Sequence, residues 1–331
     1  MNRSRRRLVV GLAAGFAAAS NVWAQKPARS YRLGFLQAGR REDAIKLSED
    51  PFLRRLGELG YAEGRNLAVE RRYAGGKLEL LPALAAELVA QKPDLIFAPP
   101  APATAAAKAA TSTIPIVFCF VSDPVGLGFA QTLARPGGNL TGTSNFSVEI
   151  VGKRIEFLRQ MAPRVGKLAI WFNPDAINDD VERRAAEQSA ARMGMQVLGV
   201  RARNPAEFAD GEAATRAWGA DCIYFNSNPT YYANRKQLVA IAAALKVPAV
   251  YFLVEFADDG GLFVYAANFP ELARRAANYA DLILRGAKPG ELPVEQPVAL
   301  ELTLNLTTAR ELGLTIPQSI LLRASRVIGG S

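Results

Sequence analysis

From Ser30 onward the chain alternates short apolar runs with longer segments of helical periodicity, and few patterns narrow the choice of fold as much. Apolar runs too short for helices, each followed by an amphipathic segment, mark βαβ units around a parallel sheet. Strands are predicted over residues 31–36, 67–70 and 95–98 and in a run ending at Phe120, with helices over 51–59, 79–91 and 103–111. A turn-rich stretch at 137–142 interrupts the pattern, which then restarts. Helices follow at 147–161, 181–193, 206–218 and 236–245, and strands at 168–172, 196–200, 222–225 and 249–252. The remainder reads as a strand at 262–265, a helix at 272–285, a proline-spaced linker at 289–297, a strand at 300–304 and a short helix at 307–312. This last part is too small for a third domain. The expected fold is therefore α/β, with two doubly wound parallel-sheet lobes and three hinge crossovers. Lobe 1 would take residues 28–143 plus 266–291, and lobe 2 residues 144–265 plus 292–331.

Composition removes several chemistries. The 331 residues suit about two domains at roughly 150 each, and none of them is histidine. Nucleophile systems built on histidine are excluded, and histidine-ligated metal and haem sites lose their usual ligand. The formal charge of +9 overstates the basic surface, because Arg3, Arg5, Arg6 and Arg7 belong to a basic segment followed by an apolar run and by Val22-Trp23-Ala24. Residues 1–24 read as a signal peptide cleaved after Ala24, exported by the Sec or the twin-arginine route. Without those arginines 36 basic residues stand against 31 acidic ones, a net +5, and they are scattered, so no nucleic-acid partner is expected. The first cysteine is Cys119, too late to carry a lipid at the signal's end, so the mature protein is expected to be soluble in the periplasm; a monomer is also expected. Cys119 and Cys222 both lie in apolar strand segments, as buried free thiols or, if their strands met, a disulfide.

Two such lobes form a cleft at the strand ends, where loops and helix starts present free backbone N–H groups. Asp123, with Ser122 beside it, can receive a ligand ammonium or organise its own turn. Ser144 and Asn145 mark the first crossover, as ligand contacts or as a hinge turn. Asn173, Asn226 and Asn228 end strands of the second lobe, where such residues contact ligand or cap the next helix. Tyr265, Phe120, Phe225 and Phe252 supply aromatic surface to the cleft or to the core. Glu255 and Asp258-Asp259 read as a solvated loop in preference to an acidic pocket, and Gly75-Gly76-Lys77 lacks the spacing of a phosphate loop. No metal or cofactor is expected. Carboxylates, Lys, Tyr or Cys would have to carry any catalysis, and no constellation of them is legible.

Several consecutive words are familiar. Thr113-Ile114-Pro115-Ile116-Val117-Phe118, Asp123-Pro124-Val125-Gly126-Leu127-Gly128, Arg135-Pro136-Gly137-Gly138-Asn139-Leu140-Thr141-Gly142, Gly152-Lys153-Arg154 and Leu292-Pro293-Val294-Glu295-Gln296-Pro297 occur in order. With Arg310-Glu311-Leu312-Gly313-Leu314 near the end, the chain resembles the ABC-transporter substrate-binding family related to tryptophan- and phenylalanine-binding proteins. The resemblance implies a type I periplasmic-binding-protein fold and delivery of a small solute to a membrane permease with a cytoplasmic ATPase. A sensor for a membrane kinase or a cleft hydrolase would use the same cleft. Pro99-Pro100-Ala101-Pro102 and Asn226-Ser227-Asn228 depart from the family's usual words at strand ends, where they bear on the ligand. The expected ligand is a small carboxylate-bearing solute, an apolar or aromatic amino acid first. Its carboxylate would meet the helix start at Ala103 and Thr104, and its ammonium Asp123.

Overall fold

A computed structural model describes residues 30–177 and 179–330, so the predicted signal peptide lies outside the described residues. The first sheet comprises β1 (Tyr31–Gln37), β2 (Leu67–Tyr73), β3 (Leu95–Phe97), β4 (Ile116–Val121) and β5 (Leu140–Ser144), in the order β2-β1-β3-β4-β5. Every pairing in it is parallel. Helices α1 (Arg41–Ala44), α2 (Asp50–Glu58), α3 (Leu81–Ala90) and α4 (Ala101–Ala110) complete the lobe's own crossovers. Both faces of β4 are covered and all six of its residues are buried, which is why it reads as an unbroken apolar run.

The second lobe begins with α5 (Val151–Met161), β6 (Lys167–Phe172), α6 (Asp179–Arg192), β7 (Gln196–Arg201) and α7 (Phe208–Trp218). It continues through β8 (Cys222–Phe225), α8 (Pro229–Ala233), α9 (Arg235–Leu245), β9 (Ala249–Tyr251), α10 (Val254–Asp258) and β10 (Phe263–Ala267). The chain then forms α11 (Phe269–Leu284), β11 (Leu300–Asn305), α12 (Leu306–Glu311), α13 (Gln318–Leu321) and β12 (Arg326–Ile328). The second sheet runs β12-β11-β10-β9-β8-β6-β7, with β10 and β11 antiparallel and the other neighbours parallel.

Helix α11 leaves the second sheet and packs on α2, β4 and β5 of the first. Its buried stripe includes Ala273, Ala276, Ala277 and Ala280, small residues that let the helix axis approach closely. The chain returns by way of Glu295, which lies beside β5: the Ser144 N–H donates to the Glu295 carbonyl at 2.8 Å, and the Glu295 N–H to that of Gly142 at 2.9 Å. Arg275 of α11 pairs with the Glu295 carboxylate. Gly142 has no substitute there, because a Cβ would stand 1.9 Å from the Phe118 carbonyl oxygen. First and third crossovers are thus laced together as neighbouring extended segments.

Several elements differ from the sequence reading, among them β5, a buried parallel strand that begins within the stretch read as turns at 137–142. The helix expected at Pro51 begins at Arg41, with a π turn at Ile45–Glu49 joining α1 to α2. Proline is a natural helix start, but here the wider turn before it accommodates the missing N–H and the helix runs through. Glu255 belongs to α10 and is 5% exposed, not part of a solvated loop. Helices α8 and α13 and strand β12 are too short to generate a periodic signal. Cys119 and Cys222 are free, buried thiols on different sheets. Burial pushes both thiols up.

Candidate functional site

The ends of the strands meet the hinge around a cavity of about 750 Å³, counting the part open to solvent. From the first lobe, Gln37 and Gly39 at the end of β1, Asp43, Ala44 and Leu47 of the first helical run, and Pro100 and Pro102 at the start of α4 face it. From the second lobe, the loop after β6 contributes Ala176, Ile177 and Asp179. The loop after β8 adds Ser227, Asn228 and Pro229, α8 adds Tyr232, and the end of β9 adds Phe252 and Leu253. Asn145 and Phe269 enter from two of the crossovers.

One wall is aromatic. Phe120 sits at the irregularity between β4 and β5 with φ of 62°, a left-handed conformation uncommon for a bulky residue. The bulge re-aims its ring, which stacks on Phe269 with centroids 4.3 Å apart and planes 20° from parallel. Phe252 packs tilted against Phe256, 4.9 Å away, and Tyr232 carries the Arg235 guanidinium over its ring at 5.0 Å. The cavity therefore offers a planar or apolar group a surface that is already ordered.

The same cavity has a polar corner, built at the start of α6. Asp179, the first residue of that helix, is fully buried. Its Oδ2 accepts from the Asn173 N–H at 2.6 Å and from Asn228 Nδ2 at 3.0 Å, while Asn226 Nδ2 donates to its carbonyl at 2.8 Å. Oδ1 has no partner. Burial holds the carboxyl well above the usual aspartate range, against the Asn173 hydrogen bond. One turn on, Glu182 forms a buried ion pair with Arg154 at 3.1 Å and also accepts from the Tyr224 hydroxyl and the Ser227 N–H. Arg154 also donates to the Tyr265 carbonyl at 2.8 Å and to the Ser147 hydroxyl at 3.2 Å, so its charge is spent on the hinge and not on the cavity. At the mouth, Asp43 of lobe 1 lies 3.6 Å from Arg235 of lobe 2, and Lys46 lies 3.1 Å from Glu255.

The structure brings only some of the sequence candidates together. Asn145 and Asn228 line the cavity. Asn228 also caps α8 through its Oδ1, and Asn145 Oδ1 accepts from the Ser147 N–H, so the turn and cap roles are present beside the lining position. Asn226 supports Asp179 from behind. Asn173 holds the loop after β6, bonding the Arg203 carbonyl and the Asp175 N–H. Asp123 stands outside the lining, and its Oδ1 accepts from the Gly126 N–H at 2.8 Å, closing the turn after β4. Ser122 is buried next to it and is not among the lining residues. Ser144 accepts from the Phe146 N–H and shapes the crossover. The Thr104 hydroxyl is committed to the Ala98 carbonyl at 2.6 Å. The N–H groups of Ala103 and Thr104 both point to the Pro100 carbonyl, so the expected carboxylate position at this helix start is already occupied. Tyr265 packs edge-on against Phe157, 5.0 Å away in the core of lobe 2, which removes it from the cleft. Phe225 stacks on Tyr251 in the core. Sequence reasoning did not single out Asp179, Phe269 or Tyr232. Asp179 is hidden in Asn178-Asp179-Asp180-Val181-Glu182, which reads as an ordinary acidic helix start.

Comparison with known proteins bears directly on this architecture. A tyrosine-binding protein of Clostridioides difficile is 25% identical over 262 residues, covering 79% of this chain and 75% of that one. A conserved domain protein from Vibrio cholerae superposes with a TM-score of 0.84 at 28% identity, covering 90% of this chain and all of that one. An ABC domain from Streptococcus pneumonia solved with L-Trp superposes at 0.83, with 23% identity and the same coverage, which speaks for the fold. The fold is the two-lobed α/β arrangement of type I periplasmic binding proteins. Residues 41–328, from the first helix to the last strand, match the family described as ABC transporter substrate binding protein, and the chain belongs to that family.

Proposed function

We propose that this protein is the periplasmic solute-binding component of an ABC importer, and that it captures an aromatic or apolar amino acid between its lobes for a membrane permease with a cytoplasmic ATPase. The observation that carries this reading is the cavity itself: the Phe120–Phe269 stack and the polar groups of Asn145, Asn228 and Asp179 line the same space. A side chain against the rings and a charged end among the polar groups fill such a site together. The tyrosine-binding relative supports an aromatic amino acid as the first ligand to try. The protein acts as a monomer after cleavage following Ala24, and it turns over no substrate. A binding protein needs complementarity to a ground state, whereas catalysis needs groups better placed for a transition state.

Native mass spectrometry of the purified mature protein, followed by thermal melts with each amino acid, tests the reading. At a hundred times its dissociation constant a ligand adds about 2.7 kcal/mol, which raises the melting temperature of a chain this size by several degrees. Such a rise with tyrosine, tryptophan, phenylalanine or a branched aliphatic amino acid is expected. A rise confined to sugars or metal ions would overturn the ligand class.

A further inference from the structure

The polar corner is short of donors. Among the described residues Asp179 Oδ1 and Asn226 Oδ1 are both buried without a hydrogen-bond partner, although their residues adjoin and Asp179 faces the cavity. Buried acceptors are normally satisfied, and each exception calls for a missing partner. The nearest buried cation, Arg154, is taken by Glu182, and no residue lining the cavity is Lys or Arg. The lining instead carries two carboxylates, Asp43 and Asp179, of which only Asp43 has an arginine within reach. An ammonium brings one positive charge and three N–H donors, which answers both deficits in the same place. A carboxylate finds no cationic side chain in this lining.

On the reading of the cavity as an amino-acid site, we infer that Asp179 is the anchor for the ligand's primary ammonium and that the site selects for the amine ahead of the carboxylate. This moves the ammonium from Asp123, whose carboxylate closes a turn, to the first residue of α6. It also predicts that an aromatic amine lacking the carboxylate binds better than the aromatic acid lacking the amine. The high position of the Asp179 carboxyl fits the same picture, since an uncompensated buried carboxylate keeps its proton until a cation arrives.

The test is calorimetric titration of the mature wild-type protein with L-tyrosine, tyramine and 3-(4-hydroxyphenyl)propionate, repeated with the corresponding tryptophan and phenylalanine sets. The propionate should bind about ten- to a hundredfold more weakly than the amino acid, the worth of a charge-assisted hydrogen bond, and more weakly than the amine. Asp179→Asn should weaken the amino acid and the amine by a similar factor and leave the propionate unchanged or tighter. A propionate that equals the amino acid, or outbinds the amine, overturns the anchor while leaving the amino-acid reading of the cavity standing. An Asp179→Asn protein that binds the amino acid as wild type does also overturns it. If no compound of the three sets binds, the reading of the cavity fails and the inference falls with it. The wild-type comparison decides the matter even if the variant does not fold.

Discussion

Two aspartates that look alike in the sequence have opposite surroundings. Asp123 spends its Oδ1 on the Gly126 N–H. Its replacement by Ala should cost about 1 kcal/mol of stability, lower the melting point of the empty protein by a few degrees, and leave the ligand-induced rise intact. Melts with and without an amino acid check this, and loss of the rise with an unchanged empty protein would return the ammonium to Asp123. Asp179 is buried with its carboxyl held above 3.8, chiefly by desolvation. A raised native value means that the folded state binds the proton more tightly than the unfolded one, so the group's contribution is fully present in acid and declines as pH rises through that window. Asp179→Asn removes the decline. The empty variant should therefore gain on wild type over the range of pH that lies above the ordinary aspartate value. A melting-point difference that stays flat across that range would show that the carboxyl is not desolvated as described.

Among the elements, α5 has the most demanding position, because Arg154 ties the exit of the first crossover at Ser147, the middle of β10 at Tyr265, and α6 at Glu182. Removing one member of a buried pair strands the other. Arg154→Met should lose roughly 3 to 5 kcal/mol in urea denaturation, whereas the double change with Glu182→Leu should recover part of it. Equal losses in the single and double variants would mean that packing, not charge, holds this joint. The bulge of β4 shows the opposite use of strain: the left-handed Phe120 places a ring against Phe269 instead of continuing the ladder.

At the scale of the molecule, Asp43–Arg235 and Lys46–Glu255 span the lobes at the cavity mouth. Lys46 is 63% exposed, so its pair with Glu255 contributes less than about 1 kcal/mol. Substituting Met for both Lys46 and Arg235 should weaken amino-acid binding by a few-fold at low salt and by little at high salt, since screening already removes most of the attraction. Titrations at two ionic strengths measure this. A loss that does not depend on salt would assign the effect to the Arg235 ring contact with Tyr232. Small-angle scattering should show the particle contracting when ligand binds, as lobes closing on a hinge do.

Order and type of the long elements were legible in the sequence because burial on both faces of a parallel strand and on one stripe of a helix writes itself into local periodicity. Asn145 and Asn228 were legible for the same reason: each follows a strand end, and strand ends face the cleft. Short elements such as α8 and β12 carry too few residues for a period. The cavity's character was decided only in three dimensions. Phe269 reaches Phe120 from a helix 149 positions later in the chain, and Asp179 loses its solvent to loops after β6 and β8. Desolvation and unmet hydrogen-bonding capacity belong to what surrounds a residue in space, and neighbours along the chain do not reveal them.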